Sequence, residues 1–212
     1  MKVYDLTHRV EAGMTLYPGT PAPRLQKAAQ LEWDGYRETE LMLFSHVGTH
    51  MDAPAHLLKE GKTLDLVSPE RFLGTAFVLD VSGSEQIALS CLTEAEEIRA
   101  ADFLLLHTGW ERYWNDPRYL AGFPVLTEEA ARWLAALPRL KGVGMDTLSP
   151  EPVGDTKLLN HRILLGAEKL LIENLTGLGA LSGKALRFAA LPLHYAEADG
   201  APARVAAWEE ET

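Results

Sequence analysis

Apolar and β-branched residues recur along the whole chain in short runs, and most of these runs have the length of a strand. Alternating or continuous apolar positions over four to eight residues are typical of half-buried or fully buried strands. Such runs predict strands at 3–6, 40–44, 76–81, 102–107, 142–145, 186–193 and 204–208. Strand signals therefore extend from one end of the sequence to the other.

Helix signals lie between these runs. A Ser-Pro pair at 68–69 places a capping residue before a proline in the first turn, and Thr93 with Glu96 has the spacing of a capping box. Thr127 precedes EEAARWLAAL, whose apolar residues recur at helical spacing, and ILLGAEKLLIENL at 163–175 predicts another helix. Strands and helices mixed in this order indicate an α/β fold.

The domain organisation follows from what interrupts the chain. No internal repeat or Gly/Ser linker divides the sequence, so we predict a single domain over 1–212. Hairpin-like spacing near the start does not fit a regular βαβ repeat, and no GxGxxG follows a strand. A Rossmann fold is therefore disfavoured.

Composition and charge narrow the classes of partner. Hydrophobic residues make up 47% of the chain and charged residues 24%, which is the balance of a folded globular protein. A formal net charge of -10 and a pI near 5.2 disfavour nucleic acid and anionic membrane surfaces. The start has no apolar signal core and no run is long enough to cross a bilayer, so we expect a cytoplasmic protein that acts on a small-molecule substrate.

The cysteine count restricts the chemistry of any metal site. Cys91 is the only cysteine, so the chain can form neither an internal disulfide nor a thiolate cluster. A serine nucleophile is also disfavoured because no GxSxG elbow is present. Any bound metal must therefore be held by His, Asp and Glu side chains.

Such side chains are concentrated in the segment HVGTHMDAPAH at 46–56. The segment begins where the run TELMLFS ends, and its Gly and Pro residues disfavour a continuous helix, so we expect a strand-to-loop segment. His46, His50 and Asp52 could bind a divalent ion and leave one coordination position open, as catalytic sites do. His56 lies beyond a proline and could act over that position as a general acid or base. The alternative is a loop of surface or capping histidines.

This segment resembles the HxGTHxDxPxH signature of the cyclase-like metal-dependent hydrolases, which include the bacterial kynurenine formamidases and the isatin hydrolases. The strings YPGTP, HTG, GMDTLSPEP and PLHYAEADGAPARVAAW also look like features of that family. The resemblance covers almost the whole chain. It implies a swivelling β/β/α domain with a mixed sheet, assembled as a homodimer or homotetramer.

The resemblance also implies roles for individual residues. In the formamidases the first two histidines and the aspartate of the signature bind one metal, which here are His46, His50 and Asp52. A second ion shares Asp52 and takes a downstream His and Glu, which are His161 and Glu173 at the same spacing. Without the resemblance, Glu173 could be an ordinary solvated helix residue. Zinc is the expected ion, with manganese as the alternative and one or two ions bound.

The implied activity is hydrolysis of N-formylkynurenine to kynurenine and formate, with metal-activated water as the nucleophile and His56 as general acid and base. Two alternatives stay open: a cyclic-amide hydrolase of the isatin type or another cyclase of the same fold, and a non-catalytic metal-binding protein. The formamidases carry Trp before the Pro-Gly pair, where this chain has Tyr17. Tyr17 could offer an aromatic face to the substrate, or it could simply pack beside Pro18 in the turn. His8, His107 and His194 receive no role.

Overall fold

The computed structural model describes residues 1–209. The strands of this part are β1 (Val3–Asp5), β2 (Arg24–Ala29), β3 (Glu38–Met42), β4 (His50–Asp52), β5 (Leu73–Asp80), β6 (Gln86–Ile87), β7 (Phe103–His107), β8 (Val125–Leu126), β9 (Gly142–Met145), β10 (Leu170–Glu173), β11 (Ala185–Pro192) and β12 (Gly200–Trp208). The α-helices are α1 (Leu31–Asp34), α2 (Leu89–Thr93), α3 (Glu97–Ala100), α4 (Glu128–Ala136) and α5 (Leu159–Gly166). Within residues 1–209 no helix is long and apolar enough to cross a membrane.

The main sheet is mixed and closes on itself. Its strands follow the order β1-β12-β11-β5-β7-β9-β10-β4, and β4 also pairs with β12. The four central strands β5, β7, β9 and β10 run parallel, whereas β4 and β11 join β12 in antiparallel pairs. The predicted α/β fold with a mixed sheet is confirmed. The single domain over 1–212 stays a prediction, and residues 210–212 lie outside the described part.

Alternation along the strands divides the core into two layers. On β7, Phe103 and Leu105 belong to one buried cluster, which also contains Phe188 and Val205 from strands across the barrel. Leu104 and Leu106 point the other way, into a second cluster with residues of α4 and α5. Successive side chains of a strand face opposite sides of a sheet, so one cluster fills the barrel and the other joins the helices to its outer face.

The predicted helix over 163–175 is wrong in its second half. Helix α5 ends at Gly166, and the backbone of Glu168 takes a positive φ of 57°, which a continuing helix does not allow. The residues Leu170–Glu173 that follow form β10, which is buried throughout and lies between β9 and β4. An apolar run buried on both faces has no period that distinguishes a strand from a helix.

The other predicted helix starts have mixed outcomes. The hydroxyl of Thr127 accepts a hydrogen bond from the backbone N–H of Ala130 and caps α4, as predicted. The capping box at Thr93 and Glu96 is wrong, because Thr93 is the last residue of α2 and its hydroxyl donates back to the carbonyl of Leu89. The Ser-Pro pair at 68–69 begins a 3₁₀ turn, not an α-helix.

The predicted strand over 40–44 is shifted, which changes how the histidine segment is built. Strand β3 ends at Met42, and His46 lies in the turn that follows it. His50–Asp52 then forms β4, so the expectation of a loop is wrong for this part of the segment. The new strand is held on both sides, by β10 and by β12.

Candidate metal centre and active site

Strand β4 sets the orientation of two site residues. His50 and Asp52 are two residues apart and therefore share one face of the strand, while Met51 between them is buried in the barrel core. In the antiparallel pairing His50 lies opposite Glu173 of β10, and Asp52 lies opposite Gly200 of β12. Barrel closure thus brings residues from three distant parts of the sequence to one end of β4.

Asp52 is the centre of the cluster. Its Oδ1 accepts a hydrogen bond from His46 Nδ1 at 2.7 Å and lies 3.4 Å from His50 Nε2. Its Oδ2 lies 3.4 Å from His161 Nε2 on α5. One carboxylate oxygen therefore faces the first pair of histidines and the other faces His161, which is the arrangement of a bridging ligand.

Glu173 completes the second group. Its Oε1 lies 3.3 Å from His161 Nε2 and its Oε2 lies 3.3 Å from His50 Nε2. The ligand atoms of His46, His50 and Asp52 lie within 4.8 Å of one another, and so do those of Asp52, His161 and Glu173. The structure therefore brings together all five residues that the sequence suggested as metal ligands. Glu173 lies on a buried strand and not on a solvated helix.

Each of the three candidate ligand histidines has a hydrogen-bond acceptor on its other nitrogen. His50 Nδ1 donates to the carbonyl of Gly48 at 2.8 Å. His161 Nδ1 lies 2.6 Å from Glu151 Oε2, and His46 Nε2 lies 2.9 Å from Asp199 Oδ2. Acceptors of this kind fix the tautomer and ring orientation of metal-binding histidines and raise their basicity.

Sequence reasoning missed Glu151 and Asp199. Both lie in strings that look like family features, GMDTLSPEP and PLHYAEADGAPARVAAW, but a string by itself assigns no role to one of its members. Asp199 is 153 residues from His46 in the chain. Gly200 beside it must be glycine, because a Cβ at that position would collide with the His46 ring.

The donor set fits a divalent cation. Glu173 Oε1 is buried and accepts no hydrogen bond within the described residues. Burial opposes protonation of His50, but hydrogen bonds and attraction from Asp52 and Glu173 outweigh it and raise the pKa to about 10. Burial likewise opposes protonation of His161, yet hydrogen bonds to Asp52 and Glu151 and the negative charge of Glu173 raise its pKa well above the ordinary value. The carboxylates thus require positive charge, which a cation held by these nitrogen and oxygen atoms would supply.

His56 lies beside this cluster and differs from it electrostatically. It ends the 3₁₀ turn Pro54–His56, and its ring centroid is 4.0 Å from that of His46. Burial lowers the pKa of His56, so the imidazole is neutral at pH 7 and can accept a proton. Its Nδ1 lies 3.8 Å from Asp199 Oδ2. One carboxylate therefore contacts His46 and also lies near the candidate general base.

A cavity of about 300 Å³ opens over the cluster. It is lined by Tyr17, Thr20, His46, His50, Asp52, His56, Leu148, Ser149, Asp155, Leu158, His161 and Glu173. The Tyr17 hydroxyl accepts a hydrogen bond from the backbone N–H of Gly154 at 3.1 Å. Tyr17 thus lines the cavity, and its hydroxyl is tied to the loop that carries Gly154.

The three unassigned histidines lie outside this cavity. His8 stacks on Trp114 with ring centroids 4.0 Å apart, and burial lowers its pKa to about 4. His107 Nδ1 lies 3.3 Å from Asp80 Oδ1, and its ligand atoms approach those of Glu111 and Asp146. Those carboxylates already accept hydrogen bonds from backbone N–H groups, which indicates a scaffold role. His194 lines a separate surface cavity.

Comparison with known proteins agrees with this geometry. A family model described as "Putative cyclase" matches residues 4–152. The chain belongs to the cyclase family. This member is 30% identical over 217 residues to the kynurenine formamidase of Bordetella petrii, an alignment that covers 96% of each chain.

Two solved structures resemble the chain closely. The first, described as a potential metal-dependent hydrolase with cyclase activity, has a TM-score of 0.83 at 27% identity and covers 100% of this chain and 99% of its own. The second, isatin hydrolase A from Ralstonia solanacearum, has a TM-score of 0.86 at 22% identity and covers 98% of this chain and 92% of its own. The second likeness shows a shared fold.

Proposed function

We propose that this cyclase-family chain is a metal-dependent amide hydrolase of the arylformamidase type, which converts N-formylkynurenine to kynurenine and formate. The observation that carries the proposal is the pair of ligand groups sharing Asp52, with the neutral His56 beside them at one cavity. The likeness to a kynurenine formamidase over 96% of the chain supports the choice of substrate.

The proposed cofactor is zinc, with manganese as the alternative, because imidazole and carboxylate ligands without sulfur suit both ions. His46, His50 and Asp52 would hold one ion, and Asp52, His161 and Glu173 would hold a second. A divalent ion bound there lowers the pKa of a water molecule toward neutrality and polarises the amide carbonyl.

The side chains of this chain divide the remaining work. His56 would take a proton from the attacking water and return it to the departing amine, a transfer that imidazole performs well near neutral pH. Asp199 is positioned to orient both His46 and His56. Leu148 and Leu158 give the cavity an apolar wall for an aryl group. A storage or structural metal site would need the ligands but not His56.

The test combines metal analysis with turnover on a substrate panel. Purified protein is analysed for bound metal, stripped with a chelator, reloaded with Zn²⁺ or Mn²⁺, and assayed for formate release from N-formylkynurenine. We expect stoichiometric metal, loss of activity on stripping and recovery on reloading. Full activity in protein free of transition metals would refute the proposal.

Two arms of the same assay decide between the alternatives. Isatin and a set of cyclic imides are offered to the reloaded protein under identical conditions. Ring opening without formate release from N-formylkynurenine would replace the proposed activity with cyclic-amide hydrolysis. Bound metal with no turnover of any substrate would favour a non-catalytic metal-binding protein. A cytoplasmic location stays a prediction from the sequence.

We also propose that the chain forms a homo-oligomer through the hairpin of β2 and β3. Every residue of β3 is exposed, and Leu25 faces the exposed Leu41 across the pair. An isolated two-stranded sheet is marginally stable in water, so a second copy of the same apolar face would stabilise it. Light scattering on the parent should give a molar mass that is a multiple of the 23.4 kDa chain. The variant Leu41→Lys should shift this mass toward that of the monomer. A parent that is monomeric at high concentration would contradict this.

A further inference from the structure

The charges around the active-site cavity are unevenly distributed. The candidate ligands and His56 account for all of its titratable lining except the phenol of Tyr17 and the carboxylate of Asp155. No Lys or Arg lines the cavity in the part of the chain that the structure describes. Asp155 is therefore the one charged side chain available to contact the part of a substrate that does not react.

The Asp155 carboxylate is held in place but not neutralised. Its Oδ1 accepts a hydrogen bond from the backbone N–H of Lys157 at 2.7 Å, which fixes the side chain within its own turn. The same loop is held from the other side by the bond between the Tyr17 hydroxyl and Gly154. Within residues 1–209 Asp155 forms no ion pair with a basic group, and its Oδ2 accepts no hydrogen bond. The half-buried side chain keeps a free acceptor at the cavity.

We propose that Asp155 is a specificity-determining residue that binds a protonated amine on the substrate, so that the preferred substrates are aryl amides with a cationic side chain. The proposal rests on the proposed amide hydrolase function and adds the substrate's charge to it. A partly desolvated carboxylate attracts an ammonium group and repels a carboxylate, and outside the proposed metal centre a cavity without Lys or Arg offers no compensating contact to an anion. N-formylkynurenine carries such an ammonium group on its α-carbon.

Four formamides that share one reacting group and differ in distal charge separate the effect of Asp155 on substrate binding from the hydrolysis step. They are N-formylkynurenine, its decarboxylated analogue N-formylkynuramine, its deaminated analogue with only the carboxylate, and the neutral 2-formamidoacetophenone. We expect the zinc-loaded parent to have its highest kcat/KM with N-formylkynuramine and its lowest with the deaminated anion.

The variant Asp155→Asn removes the charge alone, because the amide oxygen of Asn can still accept from Lys157 N. Its kcat/KM for N-formylkynuramine should fall about tenfold or more, mainly through KM, since hydrogen bonds to charged groups are the strong ones. The neutral formamide should change less than about twofold, because it has no ammonium group for Asp155 to bind. Asp116→Asn is the control for losing a carboxylate from such a turn, since Asp116 accepts from Arg118 N outside the cavity, although it also pairs with the Arg118 guanidinium.

The outcomes distinguish failure of the Asp155 proposal from failure of the amide hydrolase proposal. Equal losses on all four formamides would show that Asp155 only supports the loop, and a parent that prefers the anion would overturn the proposal directly. If the parent hydrolyses none of them, the amidase proposal fails. The Asp155 proposal is then decided by calorimetry of kynuramine and 2-aminoacetophenone binding. Tighter binding of kynuramine by the parent, lost in Asp155→Asn, would support it, and equal binding would overturn it.

Discussion

Replacing Glu151 by Gln tests whether the buried acceptor behind His161 controls metal affinity. Glu151 is 2% exposed and uses both side-chain oxygens on one residue: Oε1 accepts from the backbone N–H of His161 at 2.8 Å, and Oε2 lies 2.6 Å from its Nδ1. This pair of contacts directs Nε2 of His161 toward Asp52 and Glu173. Gln has nearly the same shape but only one acceptor oxygen.

Both orientations of the new amide carry a cost. If the amide oxygen faces Nδ1, the amide NH₂ meets the backbone N–H of His161 and leaves a buried donor without an acceptor. If the NH₂ faces Nδ1, the imidazole must carry its proton on Nε2, where it cannot bind a metal. An unsatisfied buried donor costs about 1–3 kcal/mol, and loss of an outer hydrogen-bond partner typically lowers metal affinity by about 10–100-fold. We therefore expect Glu151→Gln to weaken binding of Zn²⁺ at the proposed site on His161 and Glu173 about 10–100-fold.

Competition with a chromophoric chelator measures the Zn²⁺ affinity of both proposed sites. The ion proposed on His46 and His50 should keep its affinity, so the variant should show one unchanged and one weakened step. Asp80→Asn is the matched control, because it alters a carboxylate–histidine contact with His107 outside the cavity. Two unchanged Zn²⁺ affinities together with a lower melting temperature of the metal-free protein would refute the reasoning and leave Glu151 as a loop anchor.

Four further predictions address single residues. His56→Ala should keep most of its metal but lose at least about 100-fold in turnover, as expected for a general acid and base; parallel loss of metal and rate would make His56 a ligand. Glu173→Ala should lower the Zn²⁺ stoichiometry from two to one and depress turnover, whereas a parent-like variant would indicate a mononuclear site. Tyr17→Ala should raise KM for an aryl substrate, and an unchanged KM with a lower melting temperature would leave Tyr17 a packing role. Burial lowers the pKa of His8 from 6.5 to about 4. Between these pH values His8 binds a proton in the unfolded chain but not in the folded one. The free energy of unfolding therefore falls as the pH drops from 6.5 to about 4. His8→Phe keeps a ring against Trp114 and should reduce this dependence in acid denaturation curves; an identical dependence in parent and variant would exclude His8 as its source.

The sequence was most informative where the chemistry is local. His46, His50, Asp52 and His56 lie within eleven residues, and clustering of ligand-type side chains can be recognised without a fold. The pair His161 and Glu173 could not be recognised in this way. Glu173 stands in a strand that is buried on both faces, so its segment had no period to distinguish a strand from a helix, and only the family resemblance pointed to it.

Glu151 and Asp199 show a second kind of limit. Their partners are defined by tertiary structure, since Asp199 contacts His46 across 153 residues of chain and Glu151 meets His161 through a loop that wraps the start of α5. No local pattern encodes such contacts. The sequence could therefore suggest which atoms bind the metal, but not which atoms orient them.

The construction of the barrel explains why the site and the fold depend on each other. Strand β4 is only three residues long, yet it joins β10 to β12 and so closes the sheet. The same strand directs Met51 into the barrel core and presents His50 and Asp52 to the cavity. In the unfolded chain these candidate ligands are far from His161 and Glu173, so a metal that needs all of them would bind only the closed barrel. Such binding stabilises the folded state by about 2.7 kcal/mol when the free metal is at 100 times its Kd. Strand β4 therefore connects metal affinity to barrel closure, and a core substitution that displaces it would weaken both together.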